Sequence, residues 1–346
     1  MDPNFNKLDP LQVDDNSDKK IQTEERSAKD QGQVSNLESF SDANYAYDEL
    51  AQIQQEIFED KLGQAKATVK KVSIALMAYA LIMQLVAGFL IPFLDFGVTM
   101  IVASTLPLLA VSFIIRRPSY AEAISYEKKK MSLNDFLYYL GLMFFASIIS
   151  SLIINFLSDS LGFEGIDVME SILEAISAPV ILYVVIVGPM VEELLYRGKG
   201  LLSLEKYSKQ AALLVMTLSF ALMHGNVAQS LGVLGISLVI NYVGLTYSFK
   251  SALILHILNN FHSMLAVYFI DNLAALNFIG MIVLALVIYS FTRLIRNKAS
   301  GFRTFWQQSS EEKKIFNKMI FSWPIFILLL FYVGLIILTE ISIMMV

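Results

Sequence analysis

From about Val72 to the end of the chain, apolar stretches of roughly 17–25 residues, the length that crosses a bilayer's hydrocarbon core, alternate with short polar links. Nine such stretches can be drawn, approximately Val72–Phe93, Val98–Ile115, Asp135–Leu157, Ala178–Leu195, Ala211–Gly225, Ser230–Phe249, Ala252–Ile270, Ala274–Arg293 and Ile320–Val346. With 55% hydrophobic and only 16% charged residues, the chain is too apolar for a set of soluble domains. Backbone polar groups in hydrocarbon must be satisfied within their own segment, so the expected fold is an all-α, polytopic transmembrane bundle of about nine spans. The fifth span is short, and Gly188 and Pro189 interrupt the fourth, which leaves the central boundaries the least defined. Zero cysteines exclude disulfides, thiolate metal ligands and a cysteine nucleophile.

The net charge of −5 divides unevenly: residues 1–60 hold 15 acidic and 5 basic groups, a net of −10, and the other 286 hold 21 basic and 16 acidic groups, a net of +5. The first segment is polar, acidic and poor in aliphatic residues, which predicts a mostly disordered tail over about 1–65, ahead of a membrane domain over 66–346. Within and beyond that tail, Leu50, Ile53, Ile57 and Leu62 recur at near-helical spacing, consistent with an exposed helix over Tyr45–Lys71. No basic segment followed by an early apolar run marks a signal peptide. In a nine-span alternation the basic residues beyond the tail all fall on one side, while the Ser158–Ser177 loop on the other side carries Asp159, Glu164, Asp167, Glu170 and Glu174. Lysine and arginine are retained in the cytoplasm, so the expectation is a cell-membrane protein with a cytoplasmic N-terminus and an external C-terminus.

Three apolar segments contain ionisable groups that are costly in hydrocarbon, about 2.5–3.5 kcal/mol each on insertion scales. They are GPMVEELLYRG with Glu192, Glu193 and Arg197; SFALMHG with Phe220 and His224; and HILNNFH with His256, Asn259, Asn260 and His262. Glu193 and Arg197 are four apart with the acid first, the favourable order for a helical ion pair. Glu192 lies about 100° around the helix without a basic partner at i+3 or i+4, which leaves its carboxylate for partners on other helices. Each segment also has a plainer reading. The glutamates and Arg197 can be interfacial charges reaching the headgroups, His224 and Phe220 can be packing residues, and His256 with Asn260 can be a local hydrogen-bonded pair. His262 lies about 120° off the His256 face and is read as outside any site. The joint occurrence in three separate spans of two of the three histidines and the one Glu-Glu pair within a span favours a shared site.

Glu192-Glu193-x-x-x-Arg197, Phe220-x-x-x-His224 and His256-x-x-x-Asn260, in that order and each in an apolar segment, resemble the motif set of the CPBP intramembrane proteases, which include the CAAX prenyl endopeptidases and bacteriocin-processing proteins. The resemblance covers about residues 175–265. It implies an intramembrane endopeptidase acting on a membrane-associated, leader or CAAX-type peptide. By it, Glu192 activates water with help from His224, His256 and Asn260 donate to the oxyanion, and Glu193, Arg197 and Phe220 support the site. No cofactor is required on this reading. Zinc on Glu192, His224 and His256 is the metal alternative, disfavoured because the three are scattered over three helices instead of forming an HExxH turn. The expected partners are a peptide or membrane-protein substrate and membrane lipid, with no nucleic acid. The competing functions are a proton-coupled transporter using the same Glu and His groups as a relay, and a non-catalytic membrane scaffold.

Span geometry raises one difficulty. Counting about 1.5 Å per residue from Lys209 and from Ser251 puts His224 some 20 Å deep and His256 only some 8 Å deep. The two meet only if Gly198–Lys209 is partly embedded, if the fifth helix is tilted and short, or if the cavity is deep.

Overall fold

The computed structural model describes residues 40–161, 176–296 and 300–344. The expected disorder of residues 1–39, and the acidic loop apart from its first and last few residues, lie outside that set. The described residues are helical, without named strands, and form an all-α polytopic bundle.

The chain divides at Lys61/Leu62 into two units. In the first, the described residues belong to helix α1 (Phe40–Leu90), where Leu50 and Ile57 are exposed as expected; the expected exposure does not extend to Lys71, because Leu62, Ala65 and Val69 are buried. In the second, α1 runs on with Leu62, Ala65, Val69, Val72, Leu76 and Tyr79 buried, an i, i+3, i+4 stripe of the kind that seats a helix on a bundle. There follow α2 (Phe96–Thr105), α3 (Pro107–Ile114), the short α4 (Tyr120–Ser125), α5 (Leu133–Leu161), the composite α6 (Ala178–Glu205), α7 (Lys209–Met223), α8 (Val227–Thr246) and α9 (Phe249–Tyr268). The C-terminal part adds α10 (Leu273–Arg296), α11 (Ser300–Phe305), α12 (Ser310–Ile320) and α13 (Trp323–Met344).

Each of the nine expected spans corresponds to a helix or helix pair, but seven of them are long and apolar enough to cross a membrane. The two that fall short are α7, with 15 residues, and α9, whose 20 residues include His256, Asn259, Asn260 and His262. These are the helices that carry both candidate histidines. A short or polar helix is tolerated at membrane depth when neighbouring protein surrounds it. That condition is met: α7 buries ten of its residues, and α8 packs against both α7 and α5. A core cluster of Leu140, Met143 and Phe144 from α5, Ile236, Ile240 and Val243 from α8, and Tyr247, Ala252 and Leu255 holds the start of α9 in place.

Helix α6 departs from a simple span. It is α-helical over Ala178–Leu182, π-helical over Tyr183–Val187, α-helical over Gly188–Glu192, π-helical over Glu193–Leu201 and α-helical again over Leu202–Glu205. The helix thus continues ten residues beyond the expected end at Leu195, with Gly198, Lys199, Gly200, Leu201, Leu202 and Leu204 buried. Arg197 and Lys199, which lie beyond the expected end of the fourth span at Leu195, are therefore inside the bundle, at 2% exposure each. The Lys199 ammonium donates to the carbonyls of Ile115 (2.9 Å) and Pro118 (2.7 Å) and lies 4.4 Å from the Tyr120 ring centroid. Of the three ways in which His224 and His256 could meet, the structure has α7 short, at 15 residues, and Gly198–Leu204 buried within the bundle. Close approach makes it possible: a Cβ on Gly200 would stand 2.2 Å from the Met216 sulfur of α7.

Candidate active site

Three helices deliver the motif residues to one place. Helix α6 supplies Glu192, Glu193 and Arg197 at the junction of its central α-helical turn with the second π segment. Helix α7 supplies Phe220 and, at its C-cap, His224, after which Gly225 takes a left-handed φ of +78° that ends the helix. Helix α9 supplies His256 and Asn260. π-Helical turns are uncommon and are often found at functional sites, where the wider turn re-aims side chains.

His256 joins the two glutamates. Its Nδ1 is 2.8 Å from Glu193 Oε1, and its Nε2 is 3.5 Å from Glu192 Oε2. A carboxylate accepts, so Nδ1 carries the proton toward Glu193 and the ring's orientation is fixed. Glu193 is fully buried and also meets the Arg197 guanidinium at 3.1 Å, whereas Glu192 keeps 17% of its side chain accessible. Glu193 is therefore shared between Arg197 and His256 instead of being neutralised by Arg197 alone. Glu192 is the carboxylate of the pair that an incoming group can reach.

Phe220 lies at the centre. Its ring faces the Arg197 guanidinium at 4.6 Å and makes edge contacts with Tyr196 (5.2 Å), His224 (5.0 Å) and His256 (5.7 Å). Beyond the 3.1 Å ion pair with Glu193 Oε1, the Arg197 nitrogens have no partner among the described residues, so the ring's negative face is a principal contact for this buried cation. In the sequence Phe220 reads as ordinary packing; in the fold it touches a residue from each of the three motifs.

His224 Nδ1 lies 2.9 Å from the Phe220 carbonyl, which can only accept, so Nδ1 holds the proton and Nε2 is the lone-pair nitrogen of the neutral ring. The ring is half-buried. Asn260 Nδ2 donates to the Val184 carbonyl at 2.9 Å and Asn260 Oδ1 accepts from Asn259 at 3.3 Å, leaving the second Nδ2 hydrogen for another acceptor. His262 packs against Phe144, 4.7 Å between ring centroids, away from the motif residues.

For zinc, the donor geometry is incomplete. His256 Nε2 and Glu192 Oε2 stand at a spacing two ligands of one ion can have, but among the described residues no three His, Asp or Glu side chains gather closely enough to hold a metal. His224 does not join the pair, so the set Glu192, His224 and His256 does not fit a three-ligand site in this arrangement, and no step below passes through a metal.

Two residues that matter here escape a sequence reading. Lys199 looks like a loop charge, and only its place two residues after Arg197 in a Gly-flanked, otherwise apolar stretch hints at burial. Val184 acts through its backbone and carries no side-chain signal.

No curated protein and no solved structure matches the chain at a significant level. Residues 174–262 match a family model described as type II CAAX prenyl endopeptidase, Rce1-like. That segment includes all three motifs and the whole cluster around Phe220. The chain is thus a multi-pass membrane protein whose residues 174–262 match the Rce1-like family of type II CAAX prenyl endopeptidases.

Proposed function

We propose that the chain is an intramembrane endopeptidase in which Glu192 activates the attacking water. The observation that carries this reading is the asymmetry of the two glutamates: Glu193 is sealed by Arg197 and His256, while Glu192, one residue earlier, is partly accessible and 3.5 Å from His256 Nε2. A general base must be reachable by its proton donor, and only one of the two meets that requirement.

Glu192 takes a proton from water as the water oxygen attacks the scissile carbonyl carbon. The lone pair of His224 Nε2 accepts the water's other hydrogen and orients it. Negative charge then collects on the former carbonyl oxygen, where the second Nδ2 hydrogen of Asn260 and the His256 ring are the nearby donors. Collapse of the adduct breaks the C–N bond, and the proton held by Glu192 passes to the leaving amine. One water is consumed, a carboxylic acid and an amine are released, and the acid's proton then passes to the amine or to solvent. The buried Leu195, Tyr196 and Phe220 beside the cluster keep these interactions in a low-dielectric setting where each counts for more than in water.

The substrate is a peptide segment associated with the membrane, of the leader, pheromone or CAAX type, and the protein sits in the cell membrane with its N-terminus cytoplasmic and its C-terminus external. The positive-inside pattern supports that orientation even with Arg197 and Lys199 withdrawn, since 19 basic residues remain on the same side. Comparison of membrane and secreted peptides from cells carrying the wild-type chain or Glu192→Gln tests the function. Peptide termini that appear only with the wild-type chain are expected, and identical peptide sets would overturn the proposal.

A further inference from the structure

Away from the motif cluster, a cavity of about 510 Å³ opens between α5, α8, α10 and the start of α11. None of Glu192, Glu193, His224 or His256 lines it. Four tyrosines do, Tyr138, Tyr139, Tyr242 and Tyr247, together with the apolar side chains of Leu142 and Leu238 and, at one end, the Asp135–Arg293 ion pair. The lining residues lie near the first turns of α5 and α7 and the last turns of α8 and α10, so the cavity belongs to the end of the bundle on which the basic residues collect.

The charge at its mouth is positive. Arg293 donates to the Asn134 carbonyl at 2.5 Å, pairs with Asp135, lies 4.9 Å from the Tyr138 ring centroid and keeps 27% of its side chain accessible. Lys129, whose backbone donates to the Tyr247 carbonyl at 3.2 Å, holds its exposed ammonium 5.6 Å from the Tyr247 ring centroid. Arg293 and Lys129 beside the Asp135 carboxylate leave an excess of positive charge next to a cavity whose interior is aromatic and aliphatic. Tyrosine suits such a boundary, with an apolar ring and a hydroxyl that donates to oxygen. Basic pockets between transmembrane helices are suited to anionic lipid headgroups.

We propose that this cavity is a specific site for an anionic phospholipid of the adjacent leaflet, with the phosphate held by Arg293 and Lys129 and the upper part of an acyl chain along Leu142 and Leu238. A zwitterionic lipid has the same chain but sets a cation beside these cations, so the site discriminates by headgroup. The cavity shares α8 with the core cluster that seats α9, so an occupant there would support the helix that carries His256.

The test uses the full chain, reconstituted in nanodiscs containing equal amounts of phosphatidylglycerol and phosphatidylcholine, with lipids that remain bound after release counted by native mass spectrometry. The wild-type chain is expected to retain phosphatidylglycerol in preference by about fivefold or more, a difference of about 1 kcal/mol. Leu238→Trp, which fills the cavity, and Arg293→Gln, which weakens the headgroup contact, should each remove most of that preference. Lys129→Gln, at an exposed position with little bearing on folding, should reduce it by about half. Leu330→Trp, on the exposed face of α13, should leave it unchanged. Equal retention of the two lipids by the wild-type chain, or an undiminished preference in both Leu238→Trp and Lys129→Gln, would overturn the proposal.

Discussion

The side-chain amide of Asn260 occupies a hydrogen-bonding position that Pro189 leaves empty. In the first π segment of α6 the Gly188 N–H reaches back five residues to the Tyr183 carbonyl. The next bond in that register would run from residue 189 to the Val184 carbonyl, but proline has no N–H to give. Asn260 Nδ2, from α9, donates to that carbonyl at 2.9 Å instead. The Gly-Pro pair just before the glutamates and the Asn at the end of the third motif are thus two parts of one contact, which ties the helix bearing Glu192 to the helix bearing His256.

Asn260→Leu should therefore cost about 1–3 kcal/mol, the penalty of a buried carbonyl left without a partner. Pro189→Ala supplies an N–H at the right place, so Pro189→Ala with Asn260→Leu should be more stable than Asn260→Leu alone. A double-mutant cycle on the purified protein, read by thermal unfolding, should give a coupling of about 1 kcal/mol. A coupling of zero would mean that the two residues act independently.

Lys199→Met keeps the methylenes but removes the ammonium that binds the Ile115 and Pro118 carbonyls. Hydrogen bonds to a charged group contribute roughly 1.5–3 kcal/mol each, offset in part by the relief of burying the charge, so a net loss of about 2 kcal/mol is expected. Unfolding temperature measures it. A variant as stable as the wild-type chain would show that Lys199 is only filling space.

Phe220→Leu removes the ring that faces Arg197 and contacts both histidines. The expected cost is about 1–2 kcal/mol in stability from the cation–π contact, with a fall in turnover larger than the stability loss explains because both rings lose their common support. Assays at a temperature where the variant remains folded separate the two effects.

Much of this was legible in the chain. The length and spacing of the apolar runs specify the helices, and Glu192, Glu193, His224, His256 and Asn260 stand out because polar and ionisable groups are costly where they sit, whereas Phe220 reads as packing. The partner assignments were less accessible. A steady 100° per residue assigns Glu193 to Arg197 alone, but the chain passes into π-helix at Glu193, and His256 takes both carboxylates. The end of the fourth span is hidden for a related reason: Lys199 reads as a loop charge because its acceptors, two carbonyls more than 80 residues earlier, come from tertiary structure. Local sequence carries helix periodicity, and it carries little about where a neighbouring helix will supply a missing hydrogen bond.

Chelation separates the glutamate mechanism from a metal one. Extended treatment with EDTA and 1,10-phenanthroline should leave cleavage unchanged, since Glu192 and His256 lack a third ligand in this arrangement. Loss of activity restored by added zinc would require His224 to move to the pair and would replace the mechanism given above.

The most direct measurement is peptide cleavage by purified, reconstituted Glu192→Gln and His224→Ala, using a peptide whose processing depends on the wild-type chain. Removing a general base or its partner costs on the order of 10²–10⁴ in rate, so both variants should lose at least about a hundredfold in kcat while folding and inserting normally. Cleavage at the wild-type rate by both would contradict the assignment of water activation to Glu192.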